Sequence, residues 1–332
     1  MSESFAFEQL LVSVIIPVYE RPELLTKTLN SIREKDQFRY EIIVIDDGSI
    51  SASQISSVVR ESKHALCRYV YQKNSGAPNA RNHGLSLANG KYIKFLDSDD
   101  ELYPNVLEKQ ALELEKAHER AVCYSDWEFI GNLGDPRTGG MPERVMGSLD
   151  EPFMNILGGW WCANFSYMFN RLSLSDVEWD ESLSRGQDFD FILKVAERCP
   201  TFIYKKVKAG GYRLGDFEQI TRGGTHANRR SDYRIITGVA QRLEEKDKLD
   251  DRCRSLLCER LYDIGRNFHK AGEIEMERDC HFFIRSLVID YVPLHVSMTQ
   301  RYLVKLFGLA GAEKVMDVRR WLICLIQNLT KR

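Results

Sequence analysis

The sequence predicts an α/β fold in which an open, mostly parallel sheet is flanked by helices and followed by an α-helical C-terminal region. Two observations support this expectation. Over the first hundred residues, short and nearly continuous apolar segments alternate with segments whose apolar residues recur at helical spacing. From about Tyr233 onward only the helical spacing remains. We therefore expect two parts in the 332-residue chain, residues 1–230 and residues 231–332.

Five segments have the composition of buried strands. The first, LVSVIIPV, is rich in β-branched residues and apolar at almost every position, which is typical of a parallel strand covered on both faces. The others follow a similar pattern. The predicted strands are residues 11–18, 41–45, 67–72, 91–96 and 121–129.

Helices are predicted between these strands. Pro22 suits the first turn of a helix, and apolar residues follow it at helical spacing. Residues 131–150 and 208–230 are rich in glycine and are predicted to be loops, the second one mobile. The remaining helical segments are residues 55–60, 79–89, 106–117, part of 184–198, and a C-terminal helix with Leu256, Leu257, Leu261, Ile264 and Phe268 on one face.

Polar residues follow four of the predicted strands. In open α/β sheets, ligands bind outside the carboxyl ends of the strands, so four such endings predict one polar site along a single edge. The endings are Pro17, Val18, Tyr19 and Glu20; Asp46, Asp47, Gly48 and Ser49; Asn74, Ser75 and Gly76; and Asp97, Ser98, Asp99 and Asp100.

The composition excludes several classes of protein. A net charge of −2 gives no overall basic field, so no nucleic-acid partner is expected. The eight cysteines include no CxxC pair and no zinc-type spacing with histidine. The N-terminus lacks the basic segment of a signal peptide, and no apolar run reaches the roughly 20 residues of a transmembrane helix. We therefore expect a cytoplasmic protein.

Three ordered stretches resemble the family 2 glycosyltransferases with the GT-A fold. They are VSVIIPVYERPELLTKTLNSI, EIIVIDDGS and NSGAPNARNHGLSLANGKYIKFLDSDDELYP. The resemblance covers residues 10–125 and continues more loosely to about residue 230, so it implies that residues 1–230 are the catalytic domain. It also implies an inverting transfer of a sugar from a nucleotide donor, most often a UDP-sugar, to a hydroxyl of a glycan or lipid-linked acceptor. Such enzymes assemble surface polysaccharides and other glycans.

The acidic stretch DSDDE is expected to bind a metal ion. Mg²⁺ and Mn²⁺ prefer oxygen ligands and often use one or two protein carboxylates together with phosphate oxygens. Asp97 and Asp99 are two residues apart, so an extended backbone puts them on the same side. The resemblance implies that Asp99 binds the metal directly and that Asp97 lies near the metal or the ribose. The role of Asp100 is open, and Glu101 is expected to favour the N-terminus of the next helix.

Other residues of the edge are candidates for binding the nucleotide sugar. The resemblance implies that Asp47 contacts the base and that Arg81 approaches the nucleotide; a solvated helix charge is the alternative for Arg81. The ring of Tyr19 could stack on the base, with packing at the strand end as the alternative for Tyr19 and Pro17. The predicted nucleotide-sugar-binding residues are Pro17, Tyr19, Glu20, Asp47, Gly76, Arg81, Asp97 and Ser98.

An inverting transfer needs a base that takes the proton from the attacking hydroxyl. The family usually places this carboxylate in a Glu-Asp pair at the start of a helix, and this sequence has Gln187-Asp188 there. The resemblance therefore implies that Asp188 is the base, whereas Gln187 departs from the pattern. A helix N-cap role for Asp188 and a base role for Asp190 are the alternatives.

The acceptor side is predicted from aromatic residues. Trp160 and Trp161 precede Asp188, and aromatic rings suit the apolar faces of sugars; core packing is the alternative for both. Gln187 is included among the acceptor-binding candidates. The segment with Arg222, His226, Arg229 and Arg230 either closes over the diphosphate or links the two parts.

The C-terminal segment RRWLICLIQNLTKR, residues 319–332, is a short apolar helix pattern with cationic ends. Such a helix suits an anionic membrane surface, so a peripheral position on the inner face of the membrane is one expectation. Packing of this helix on the protein is the other.

Two rival functions are weighed against a glycosyltransferase. A degenerate GT-A domain that binds a nucleotide sugar or glycan without turnover is favoured by Gln187 and disfavoured by the presence of Asp97, Asp99 and Asp188. A dinucleotide-dependent dehydrogenase is disfavoured because no GxGxxG motif follows the first strand.

Overall fold

The computed structural model describes residues 11–35, 38–117, 120–132, 134, 143–214 and 226–329. The chain forms two compact units. The first comprises Met1–Leu183 and Gln187–Gln219, and the second comprises Ser184–Gly186 and Ile220–Arg332.

The first unit is built on one nine-stranded sheet with the order β3-β2-β1-β4-β8-β6-β9-β5, and β7 pairs with β6. The strands are β1 (Leu11–Val18), β2 (Arg39–Asp47), β3 (Cys67–Gln72), β4 (Tyr92–Phe95), β5 (Glu101–Leu102), β6 (Ala121–Gly131), β7 (Glu143–Arg144), β8 (Tyr167–Asn170) and β9 (Thr201–Leu214). Strands β1 to β4 pair in parallel, and so do β6 and β9. The other pairings, which include both neighbours of β8, are antiparallel.

Helices flank this sheet. They are α1 (Pro22–Ser31), α2 (Ala52–Arg60), α3 (Ala77–Leu87), α4 (Val106–Glu115), α5 (Pro152–Leu157) and α6 (Gln187–Ala196). The predicted α/β class, with an open sheet, flanking helices and a helical C-terminal region, is confirmed. The second half of the sheet is more mixed than expected, because β8 enters between β4 and β6 in the antiparallel sense.

The predicted mobile loop at residues 208–230 is wrong over its first part, because residues 208–214 complete β9. The glycines there serve close packing between strands. A Cβ atom on Gly210 would lie 1.9 Å from the carbonyl oxygen of Glu101, and one on Gly211 would meet the side chain of Ile130 at 2.6 Å. Residues 215–225, including Arg222, lie outside the described residues.

The second unit is helical, as predicted. Its helices are α7 (His226–Glu245), α8 (Asp251–Lys270), α9 (Ile274–Leu287) and α10 (Met298–Leu329), the last broken at Gly308, where φ is +69°. Leu257, Leu261 and Phe268 form the buried face of α8. Arg229 lies on α7 and pairs with Glu273, with Nε 2.7 Å from Oε1.

Some predictions for the second unit fall outside what the structure describes. The side chains of His226 and of residues 319–332 lie outside the described part of the chain. Within the described residues, no helix combines the length and the apolar character needed to cross a membrane.

Candidate active site

The carboxyl ends of β1, β2 and β4 meet at one edge of the sheet. Strand β1 lies between the other two and runs parallel to both, with Val18 opposite Asp46 and Ile15 opposite Phe95. The residues that follow these strands are therefore neighbours across the edge. Pro17 is buried at the end of β1, whereas the side chain of Tyr19 just beyond it is 47% exposed.

The acidic turn after β4, residues 97–100, is anchored by a side chain of α1. The Thr28 hydroxyl of α1 donates to the carbonyl oxygens of Ser98 and Asp100 at 2.9 and 2.8 Å, so the turn is anchored through its backbone. Ser98 is itself 5% exposed. The carboxylates of the turn are left to interact with side chains from other elements.

Two of these carboxylates are paired with arginines. Asp97 Oδ1 lies 2.6 Å from Arg81 Nη2, and Asp99 Oδ2 lies 2.7 Å from Arg21 Nη1. Asp97 is 30% exposed and Asp99 14% exposed, so both can still be reached from the edge. The two cations offset part of the repulsion that adjacent carboxylates would otherwise cause.

Asp100 and Glu101 face β9 instead. Asp100 is 2% exposed, and its Oδ1 accepts a hydrogen bond from the backbone N–H of Arg213 at 2.9 Å. Glu101 forms an ion pair with the Arg213 guanidinium. The expectation that Glu101 serves the next helix is wrong, because Glu101 lies in β5 and the helix begins only at Val106.

Burial and mutual repulsion raise the proton affinity of this turn. Burial raises the pKa of Asp99, the charge of Asp97 adds to the increase, and Arg21 opposes it. Burial likewise raises the pKa of Asp100 well above its ordinary value, with further contributions from the charges of Asp99 and Asp97. Added positive charge at this turn would therefore be stabilising.

Asp47 organises the loop that precedes α3. Its Oδ1 accepts hydrogen bonds from the Gln72 side chain and the Ser75 N–H, and its Oδ2 accepts from the Gly76 N–H, all at 2.8 Å. Gly76 has a φ of +90°, a conformation that favours glycine. The neighbouring Asp46 is fully buried and accepts hydrogen bonds from the Tyr69 hydroxyl and the Ser49 N–H.

The carboxylate of Glu20 already accepts hydrogen bonds from the segment that follows β2. Its carboxylate accepts hydrogen bonds from the backbone N–H of Ile50 and from the N–H and hydroxyl of Ser51, at the start of α2. These bonds lower the pKa of Glu20. The nucleotide-binding roles predicted for Glu20, Asp47 and Gly76 stay predictions, and the structure assigns each of these residues a share in shaping the edge.

Arg81 is not a solvated helix charge, because its side chain is buried beside the acidic turn. Arg81 is 8% exposed, pairs with Asp97, and places its guanidinium carbon 4.5 Å from the ring centroid of Trp179. Trp179 in turn stacks on Phe191 of α6 with the centroids 4.1 Å apart. Arg81 therefore connects the acidic turn to the helix that carries Asp188.

Asp188 lies in the first turn of α6 and is partly exposed. Its Oδ2 accepts a hydrogen bond from the Trp161 indole N–H at 3.3 Å, and its Oδ1 accepts from the N–H of Phe189. The N-cap alternative fails because the helix already begins at Gln187. Asp190 is 3% exposed and pairs with Lys194 at 2.7 Å, so it does not face the site.

The two tryptophans differ. Trp160 packs against Tyr124 with ring centroids 5.4 Å apart, whereas Trp161 is 42% exposed and lies edge-on to Trp127 at 4.9 Å.

A cavity beside Asp188 is lined by both tryptophans and by Asn164, Tyr167 and Phe189. The amide nitrogen of Asn164 is buried and has no hydrogen-bond partner among the described residues. The Gln187 amide donates to the Leu183 carbonyl oxygen at 2.8 Å.

Tyr212 of β9 belongs to the site, although the sequence pattern did not single it out. Burial raises the pKa of Tyr212, and the negative charges of four carboxylates raise it further. Its ring also packs near Trp161, with centroids 6.1 Å apart. The four carboxylates are those of Asp100, Asp97, Asp99 and Asp188. The phenol is thus close to both the acidic turn and the first turn of α6.

No group of three or more His, Cys, Asp and Glu side chains within the described part of the chain could hold a metal ion. The donor set that the edge does offer is the pair of carboxylates of Asp97 and Asp99.

Comparison with known proteins identifies related sequences over the first part of the chain. Residues 13–162 match the family described as Glycosyl transferase family 2. The glycosyltransferase YibD of Escherichia coli (strain K12) is 36% identical over 119 residues, which are 36% of this chain and 35% of YibD. The amylovoran biosynthesis glycosyltransferase AmsB of Erwinia amylovora is 25% identical over 64% of this chain and 71% of AmsB. The match to YibD thus spans about a third of that relative.

The fold is shared with a solved structure, that of S. aureus TarS. S. aureus TarS 1–349 in complex with UDP-GlcNAc superposes with a TM-score of 0.65 at 18% identity, covering 94% of this chain and 92% of TarS 1–349. At this level of identity the likeness shows a common fold.

Proposed function

We propose that this chain, whose residues 13–162 match glycosyl transferase family 2, is an inverting enzyme that moves a sugar from a nucleoside diphosphate donor to an acceptor hydroxyl. The likeness to AmsB, named for amylovoran biosynthesis, supports a role in surface polysaccharide or glycan assembly.

The observation that carries this proposal is the convergence of two kinds of carboxylate around one tyrosine. The Tyr212 ring packs near Trp161, which donates to Asp188, and the N–H of the next residue, Arg213, donates to Asp100 of the acidic turn. One group is a crowded set of acids paired with arginines, and the other is a single carboxylate beside an aromatic cavity. A transfer reaction needs both, because the leaving diphosphate gains charge while the acceptor loses a proton.

Asp188 is the proposed base. It is partly exposed, accepts a hydrogen bond from a neutral donor, and faces a cavity with aromatic walls. The acceptor hydroxyl would give its proton to a carboxylate oxygen of Asp188 while the hydroxyl oxygen attacks the anomeric carbon. The bond from that carbon to the diphosphate oxygen would break, and its electron pair would leave with the nucleoside diphosphate. Trp161 would orient this carboxylate through its indole N–H, and the Asn164 amide offers a donor for a second acceptor oxygen.

The donor would bind along the edge formed by β1, β2 and β4. A carboxylate has about four lone-pair sites, and Asp47 uses three in hydrogen bonds, which leaves one on Oδ2 for a base edge. The exposed ring of Tyr19 can stack on the base. A UDP-sugar is the first donor to test, since TarS, which shares the fold, is described in complex with UDP-GlcNAc.

A divalent cation, Mn²⁺ or Mg²⁺, fits the acidic turn. Asp97 and Asp99 supply hard oxygen donors two residues apart, and both carboxylates are partly exposed at the edge. When bound, the cation would neutralise charge on the leaving diphosphate. Asp99 and Asp97 would hold it, while Arg21 and Arg81, which pair with them, would turn toward the phosphates or stay as supporting charges.

The acceptor is proposed to be a glycan or a lipid-linked saccharide. A lipid-linked acceptor would place the enzyme on the inner face of the membrane, in the cytoplasm, with residues 319–332 as one contact. The cationic and apolar sequence of that segment supports this location.

An inactive domain that binds a nucleotide sugar or glycan is the second candidate, favoured by Gln187 in place of glutamate. The Gln187 amide is bonded to a backbone carbonyl and carries no charge. This candidate predicts donor binding with no transfer and no hydrolysis.

The test is a panel of nucleotide sugars with Mn²⁺ or Mg²⁺, scored by thermal shift and by slow donor hydrolysis. We expect one donor to raise the melting temperature and to be hydrolysed by the wild-type chain. Binding without hydrolysis by wild type, at any metal concentration, would favour the inactive domain. No shift with any donor would contradict the proposed function.

A further inference from the structure

The first part of α10, from Met298 to the break at Gly308, buries Val304 on its inward face and also exposes large apolar side chains on its outer face. Its inward face carries Gln300, which is 6% exposed and donates to the Tyr262 hydroxyl at 2.8 Å and to Glu313 at 3.0 Å. Its outward face carries Met298, Tyr302 and Leu306, which are 77%, 64% and 56% exposed. Surface helices usually bury the apolar side and expose the polar one.

The exposed apolar side chains form one line with cations beside it. Met298, Tyr302 and Leu306 are spaced by four residues, so they follow one another along the same helix face. Arg301 and Lys305 stand next to this line, and Lys305 forms no ion pair with any residue that the structure describes. We call these five residues the basic–apolar face.

The segment that carries the basic–apolar face contains basic residues and no acidic ones. The sequence from residue 291 to residue 312 contains no Asp or Glu. Of the acids that flank this stretch, Asp290 precedes it and Glu313 is buried and bonded to Tyr262. An apolar face with unopposed cations fits a partner that is both apolar and anionic.

The segment that leads into this helix is held in place. The Leu294 N–H donates to Glu259 of α8 at 2.6 Å, and His295 contacts Asp263 of α8 at 3.0 Å. His295 also pairs with Glu259, so these two acids are occupied. The start of the basic–apolar face is therefore fixed to α8, and the exposed Leu294 extends its apolar surface.

We propose that the basic–apolar face binds the surface of a bilayer that contains anionic lipids. The methionine, tyrosine and leucine side chains would enter the boundary between headgroups and acyl chains, and the two cations would contact lipid phosphates. A second copy of the chain fits less well, because it would bring the same cations together. This contact goes beyond the proposed function, and it lies before Gly308, apart from residues 319–332.

The test is sedimentation of the full chain with vesicles of phosphatidylcholine that contain about a third phosphatidylglycerol, compared with phosphatidylcholine alone. We expect binding to the anionic vesicles that weakens with added salt. The variants Arg301→Gln and Lys305→Gln should each weaken binding about fivefold. The triple variant Met298→Ser, Tyr302→Ser, Leu306→Ser should weaken it by more than about tenfold.

The matched control is Leu66→Ser, which removes an exposed leucine from the first unit and should bind vesicles like wild type. Arg301 is half-buried and the other altered side chains are exposed, so circular dichroism and melting temperature should not change. Three results would overturn the proposal. They are equal binding to both vesicle types, wild-type binding by the triple variant, and a fall in molar mass by light scattering in the triple variant without any loss of vesicle binding. A chain that lacks residues 319–332 should still show the effect of the triple variant, which separates the two membrane contacts.

Discussion

The acidic turn after β4 and the carboxylate of Asp188 are two ways of holding negative charge in one site. Asp99 is 14% exposed, is paired with Arg21, and has its pKa raised by burial and by Asp97. Asp188 is also partly exposed and has a single neutral side-chain donor, Trp161. No described cation lies within ion-pair distance of Asp188.

This difference separates the proposed roles. The acidic turn, whose carboxylates pair with arginines, is suited to binding a metal ion together with the donor. Each arginine can be exchanged for the metal ion when the donor binds and can return when the product leaves. A partly exposed carboxylate whose hydrogen-bond donors are neutral is suited to receiving a proton. The donors to Asp188 are the Trp161 indole N–H and the Phe189 N–H. The comparison predicts that equivalent changes in the two places will have different effects.

The largest effect is expected from Asp188→Asn. Loss of a general base typically costs a factor of 10²–10⁴, so we expect transfer to fall by about a thousandfold while donor binding stays near the wild-type level. Steady-state kinetics and a thermal-shift titration with the donor would measure the two quantities. Asp190→Asn is the matched control, two residues away, and should lower stability through its Lys194 pair more than it lowers turnover in the folded protein. Near-normal turnover of Asp188→Asn would refute the base role.

Asp99→Asn should have a smaller effect on turnover and a larger effect on binding. We expect about a hundredfold loss of transfer and a loss of the Mn²⁺ dependence of donor binding, because one of the two proposed carboxylate ligands is gone. Calorimetry of donor binding with and without Mn²⁺ would check this. Metal-dependent binding that survives the change would remove Asp99 from the metal site and weaken the contrast with Asp188.

Much of the edge could be predicted from sequence because parallel topology fixes it. Once the strands ending near Pro17, Asp47 and Asp97 are recognised, their carboxyl ends must be neighbours. The sequence could not show which oxygen of each acid is already occupied. Asp47 accepts hydrogen bonds from the loop before α3, and Glu101 forms an ion pair with Arg213 of β9. Such partners depend on pairings between distant segments.

The second half of the sheet was harder to predict for a different reason. The segment around Gly210 and Gly211 has the composition of a loop, yet it is a strand whose glycines let β5 and β9 approach closely. Tyr212 was missed with it, since an isolated tyrosine in a glycine-rich segment carries no signal. Glycine next to an aromatic residue that follows an apolar strand pattern would have been the available hint.

Trp161→Phe tests the neutral donor of Asp188. The ring packing against Trp127 and Tyr212 is largely kept, and only the indole N–H is lost. We expect about a fivefold fall in kcat, which corresponds to about one hydrogen bond, with the melting temperature almost unchanged. Trp160→Phe is the control, because Trp160 is not bonded to Asp188, and it should affect packing near Tyr124. Equal effects of both changes on kcat would indicate packing and not orientation.

The smallest expected effect concerns the pH dependence of stability at the acidic turn. Because the pKa of Asp100 is raised on folding, the folded chain binds its proton more tightly than the unfolded chain does. The stabilisation is complete below the ordinary aspartate pKa and is lost as pH rises through the raised value, so this group makes the free energy of unfolding fall with increasing pH. Asp100→Asn should make the free energy of unfolding fall less between acidic and neutral pH, measured by urea unfolding at several pH values. An unchanged slope in Asp100→Asn would mean that burial does not disfavour the charged form of Asp100, and the contrast between the acidic turn and Asp188 would then rest on geometry alone.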